Sequence, residues 1–118
     1  ADTIARLVSR ASDLEEVRVI FAFTSSGSTA QLISDVCPPQ PIIALTADTG
    51  VMQRLALLRS VYPVRVKHAN TFEGMLTIVN RVCHAYKLAG RGDKVLITGG
   101  APFGSTVPTN FLMIHKVS

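Results

Sequence analysis

Apolar residues recur along this chain at two spacings, and each spacing predicts a different element. Ile4, Leu7, Val8 and Ala11 repeat at helical intervals with Arg6 and Arg10 opposite, which predicts an amphipathic helix over residues 2–12. Val17, Val19, Ile20, Phe21 and Phe23 instead form a β-branched and aromatic run that ends in the polar cluster after residue 23. That is the pattern of a strand buried on both faces of a parallel sheet. Residues 29–36 return to helical spacing until Pro38 and Pro39 stop them.

The alternation then repeats. Residues 42–45 predict a second short buried strand, and Asp48 stands where a carboxylate can cap a helix running through Val51, Leu55 and Leu58. Residues 61–66 predict a third strand, and Pro63 assigns it to an edge or a bulge. A long helix is predicted over residues 72–88, with Phe72, Met75, Leu76, Val79, Val82, Cys83 and Tyr86 on one face and Gly90 as its C-terminal cap. A fourth strand follows over residues 93–98. A Gly/Pro-rich loop then leads to a last strand over residues 110–117. That loop is too short for a parallel crossover, so the last strand runs antiparallel. The fold class predicted is α/β: three layers, an open and mostly parallel sheet of about five strands, helices on both faces, last strand antiparallel.

A chain of 118 residues with 47% hydrophobic and 17% charged residues has material for one core, so a single domain over residues 1–118 is expected. Twelve Lys and Arg against eight Asp and Glu leave a formal charge of +4. The basic residues are scattered, and Trp is absent beside two Tyr and five Phe. Without a basic stripe or stacking aromatics, nucleic acid is not an expected partner. Cys37 and Cys83 have no metal or redox spacing and read as buried thiols. No apolar run reaches membrane length, which points to a soluble, cytoplasmic protein with no membrane partner.

Chemistry concentrates in two loops that leave the carboxyl edge of the sheet, where open α/β sheets bind ligands. In the first, Thr24, Ser25, Ser26, Gly27, Ser28 and Thr29 place five hydroxyls around a tight turn at the start of a helix. Unpaired amides and the helix dipole make that a phosphate cradle. The plainer alternative is that Ser26 or Ser28 simply caps the helix. The second loop carries Gly100, Pro102, Phe103, Gly104, Ser105 and Thr106. It nearly matches a nucleotide P-loop but has Ser105 in place of the lysine, and a strand in place of the helix that should follow. His68, His84 and His115 stand alone and read as structural; neither a catalytic constellation nor a metal site is indicated.

Five segments occur in register with one family. They are VIFAFTSSGSTA at 19–30, PIIALT at 41–46, RLALLRSVYP at 54–63, RGDKVLITGGAPFG at 91–104, and Thr109-Asn110 before Ile114-His115. In this the chain resembles the C-terminal domain of pyruvate kinase over nearly its whole length. The resemblance implies a regulatory domain of the enzyme that moves phosphate from phosphoenolpyruvate to ADP in glycolysis. The active site, with its magnesium and potassium, belongs to a separate barrel domain absent from this chain, so the chain alone is expected to be inactive and to hold no cofactor. It further implies packing against its own barrel, assembly into a homotetramer, and binding of a sugar phosphate or nucleotide monophosphate effector. The effector's phosphate would sit at Thr24 to Thr29, with the loop at Gly100 to Thr106 closing beside it.

Two departures bear on that implication. Many family members have Lys and Arg where this chain has Ser25 and Ser28, so the first loop lacks a cation of its own. Val107 and Pro108 replace a Gly followed by Ser or Thr, which stiffens the second loop. An alternative reading is a subunit-interaction domain whose loop is vestigial and whose last strand pairs with a second copy. A free-standing sugar-phosphate enzyme of flavodoxin-like shape fits less well, since no acid/base pair is present.

Overall fold

A computed structural model of the chain describes residues 2–69, 71–99 and 111–118. The elements follow in the order α1 (Asp2–Leu14), β1 (Ile20–Phe23), α2 (Ser28–Asp35), β2 (Ile42–Thr46), α3 (Thr49–Leu55), β3 (Val61–Arg65), α4 (Phe72–Ala85), β4 (Lys94–Gly99) and β5 (Phe111–Lys116). The strands form one sheet in the order β3-β2-β1-β4-β5. Its first four strands are parallel, and β5 runs antiparallel to β4, with Lys94 opposite Lys116 and Gly99 opposite Phe111.

Strand alternation sorts the core into two layers. Ile20, Ala22, Ile42, Ala44 and Leu96 face one side and pack with Val8 of α1, Ala30 and Ile33 of α2, and Val51 and Leu55 of α3. Val19, Phe21, Ile43, Leu45, Val95 and Ile97 face the other side, where Met75, Ile78, Val79, Val82 and Cys83 of α4 cover them. The small Ala22 and Ala44 lie under the three-helix layer; the large Phe21 lies under α4. This division follows from the order of the strands. The chain steps from β1 to β2 to β3 in one direction, then returns past β1 to β4, and a right-handed crossover made in the reverse direction lands on the opposite face.

Pro63 sits on an edge strand, as its chemistry requires. Ser60 accepts from the Ile42 amide at 2.9 Å and the Val66 amide donates to Thr46 at 2.9 Å, so even-numbered residues of β3 bond inward to β2. Odd-numbered residues point their backbone groups outward, and at residue 63 the outward position has no N–H to leave unpaired. Asp48 caps α3, its Oδ1 accepting from the Val51 amide at 3.0 Å.

Four expectations change. The helix of residues 72–88 ends at Ala85, because Lys87 takes a φ of +54° and the Leu88 amide closes onto the Cys83 carbonyl at 2.9 Å. Gly90 is therefore not its cap; its amide donates to Asp93 Oδ2 at 2.8 Å in the next turn. Phe72 and Tyr86 overhang the ends of the buried face and are exposed, while Ile78 joins it. Cys37 is also exposed, since it takes a φ of +50° in the turn after α2, whereas Cys83 is fully buried.

Candidate functional site

The reversal of winding direction occurs between β1 and β4, so the chain segments leaving Phe23 and Gly99 start side by side at the carboxyl edge. Gly99 makes this possible: a Cβ there would lie 3.1 Å from the Phe23 carbonyl oxygen and 3.2 Å from the Phe23 Cβ. Residues 24–27 bridge β1 to α2, and Ser28 and Thr29 open the helix. Gly100, Pro102, Phe103, Gly104, Ser105 and Thr106 of the second loop lie outside the described residues.

The first loop divides into an inner and an outer set. Thr24, Gly27 and Thr29 are buried; Ser25, Ser26 and Ser28 face solvent. The Thr24 amide continues the sheet by donating to Leu45 O at 3.1 Å, and its hydroxyl turns back to accept from the Gly27 amide at 2.7 Å. Gly27 takes a φ of +95° as the N-cap of α2, a conformation that other residues adopt only with strain, and its carbonyl accepts the first helical bond from Gln31 at 3.0 Å. The helix has no side-chain cap. Ser26 Oγ lies 3.1 Å from Ser28 Oγ and accepts a long 3.4 Å bond from the Ser28 amide, so simple capping by Ser26 or Ser28 does not describe the loop.

A cation reaches this loop from another element. Arg54, in the last turn of α3, donates through Nη2 to the Ser26 carbonyl at 3.1 Å. Beneath it, Val51 and Leu55 of α3 pack against Gly27. Residues 51, 54 and 55 share one helical face, so α3 supports the loop with two apolar side chains and one guanidinium. The loop carries no cation of its own, and in sequence the spacing of Arg54 shows only the polar side of an amphipathic helix. No acidic residue occupies the first turn of α2. No acid in that turn offsets the partial positive charge of its amides. Among the described residues, no acceptor is present for the Ser25 and Ser26 amides.

The other polar groups do not join this site. An open cavity of about 330 Å³ lies near the start of β4, lined in part by Arg18, Lys87 and Asp93. Arg18 Nε and Asp93 Oδ2 pair there at 3.3 Å. Burial, followed by the Asp93 charge, pushes the Cys83 thiol up to about 11, where it is a poor nucleophile. His84 Nε2 bonds the Ser118 carbonyl at 2.7 Å, His115 Nε2 bonds Asn80 Oδ1 at 3.0 Å, and His68 is exposed. Among the described residues no three His, Cys, Asp or Glu side chains gather to hold a metal, and no helix is long and apolar enough to cross a membrane.

The family model described as pyruvate kinase, alpha/beta domain, matches residues 2–115. The chain belongs to this family. A pyruvate kinase of Geobacillus stearothermophilus is 36% identical over 117 residues, which are 99% of this chain and 20% of that protein. One of Lactococcus lactis is 32% identical over 116 residues, 98% of this chain and 23% of that protein. The crystal structure of a pyruvate kinase from Cryptosporidium parvum superposes on 99% of this chain with a TM-score of 0.87 at 24% identity, and this chain covers 22% of it. The alpha/beta domain thus spans about a fifth of the curated relatives it matches. The likeness in fold extends to the mostly parallel five-stranded sheet with its antiparallel last strand.

Proposed function

We propose that this chain is the regulatory and tetramer-assembly domain of a pyruvate kinase, and that residues 24–29 hold the phosphate of an effector carried by a sugar or a nucleotide. The parent reaction would transfer phosphate from phosphoenolpyruvate to ADP in the cytoplasm, with magnesium and potassium, on a barrel domain that packs against this one. What carries the reading is the exposed Ser25, Ser26 and Ser28 at the positive end of α2, whose first turn holds no acid, with the Arg54 guanidinium on the Ser26 carbonyl. An anion there meets hydroxyl donors, the Ser25 and Ser26 amides, which have no acceptor among the described residues, and a nearby cation, and those are the groups that recognise phosphate.

The test is made on the intact enzyme. Sugar bisphosphates and nucleoside monophosphates are titrated while activity at low phosphoenolpyruvate and hydrogen exchange across residues 24–29 are followed. A ligand that slows exchange in this segment and shifts the activity curve supports the reading. Unchanged exchange with every phosphate compound refutes it.

Two observations favour the alternative, a subunit-interaction domain without a ligand. The Gly27 amide, which would point to a bound phosphate in an open cradle, is already taken by Thr24. Strand β5 also lies at the sheet edge, with Phe111, Leu112, Met113 and Ile114 half-buried. An oligomer whose sedimentation and activity ignore phosphate compounds would select this alternative.

A further inference from the structure

We infer that Arg54 is a positioning residue for the loop at residues 24–29, fixing one peptide group from outside the loop; this rests on the phosphate-site reading above. The Ser26 carbonyl and the Gly27 amide belong to the same peptide plane and point in opposite directions. Arg54 Nη2 holds the carbonyl at 3.1 Å, and Thr24 Oγ1 holds the amide at 2.7 Å. Because glycine tolerates either sign of φ, sterics alone do not keep this plane from turning over. The two hydrogen bonds do. The pinning also has an electrostatic side. A carbonyl oxygen in a loop that receives an anion is a repulsive partial charge, and the guanidinium engages that oxygen with a charge-assisted bond. Arg54 thereby fixes this peptide with its amide turned onto Thr24, and the cost of ordering the loop is met before a ligand arrives.

This makes the loop's affinity depend on a side chain 28 residues away in sequence. It also defines a coupling that a general loss of stability does not reproduce: Arg54 and Thr24 act on one plane, so their removal is non-additive. The experiment measures hydrogen exchange of the 24–29 segment in the intact protein for the wild type, Arg54→Ala, Thr24→Val and the double variant. Each is measured with and without inorganic phosphate, and thermal midpoints verify folding. Arg54 is exposed in the last turn of α3, and alanine preserves the helix there.

In the absence of phosphate, Arg54→Ala should speed exchange of the segment about three- to tenfold, the range of one lost hydrogen bond. In the Thr24→Val background the same change should add little. Phosphate protection should weaken by a similar factor. If the wild type responds to phosphate while Arg54→Ala shows the same exchange and the same midpoint, the inference is overturned and the site reading stands. If phosphate protects no variant, including the wild type, the site reading fails, and the unliganded exchange still decides on Arg54: faster and non-additive supports the pin, unchanged or additive overturns it.

Discussion

Two glycines with nearly the same positive φ separate strain from packing at the candidate site. Gly27 has φ +95° and Gly92 has φ +89°. A Cβ on Gly92 meets nothing within 4 Å, whereas one on Gly27 would lie 3.3 Å from Leu55 Cδ2 and 3.4 Å from Val51 Cγ1, both in buried side chains. A non-glycine residue in the left-handed region costs roughly 1–2 kcal/mol. A stiffer unfolded chain offsets about 0.4–1 kcal/mol of that. Gly92→Ala should therefore destabilise by about 0.5–1 kcal/mol. Gly27→Ala carries the same strain and also pushes a methyl group into a packed layer, which adds about 1 kcal/mol or more. Its total is about 2 kcal/mol. Urea unfolding at fixed m should show a larger fall in midpoint for Gly27→Ala than for Gly92→Ala. Equal shifts, or a larger one at Gly92, would refute the claim that α3 packs beneath the loop.

Asp48→Ala removes the acceptor for the Val51 amide and should cost about 1 kcal/mol, read by urea unfolding, with Asp48→Asn close to the wild type. Of the two thiols, the exposed Cys37 should react with a disulfide reagent in the native protein, and Cys83, fully buried and raised to about 11, should react only in denaturant. Two fast native thiols would contradict the burial of Cys83. Burial holds the His115 pKa below its ordinary value of 6.5, so the unfolded chain binds the proton more tightly. Stability is then complete above about pH 6.5, falls as pH drops below that value, and levels off below the folded pKa. His115→Gln should flatten that part of the stability profile, measured as the unfolding midpoint against pH.

The parts of this fold that were legible in sequence are those set by local periodicity or by one residue's covalent chemistry. The run from Val17 to Phe23 gave a buried strand because side chains facing both layers must be apolar, and the structure divides them between α4 and the three-helix layer. Pro63 limited its strand to an edge or a bulge, and the structure has the edge, where an outward backbone position can lack an N–H. The short link after β4 required an antiparallel neighbour, and β5 is one. Helix ends were less legible. Lys87 closes α4 in a conformation that glycine usually supplies, and nothing in its identity announces this. Cys37 faces solvent for a similar local reason, a positive φ just before two prolines.

Arg54 shows why the site was legible only in outline. The loop's hydroxyls are consecutive and can be counted, but its cation comes from a helix two elements later and becomes a neighbour only after β2 has paired with β1. Its position is also borrowed. A helix of seven residues such as α3 is marginal by itself, so its last turn stays in place through the Asp48 cap at one end and the burial of Val51 and Leu55 along one side. Those two side chains pack against Gly27, and the guanidinium beside them holds Ser26, so cap, helix and loop form one connected unit. It follows that the order of residues 24–29 is set by tertiary packing more than by their own composition. A second chain with the same hydroxyl-rich loop but no donor at position 54 would share the sequence signature without sharing the preset peptide.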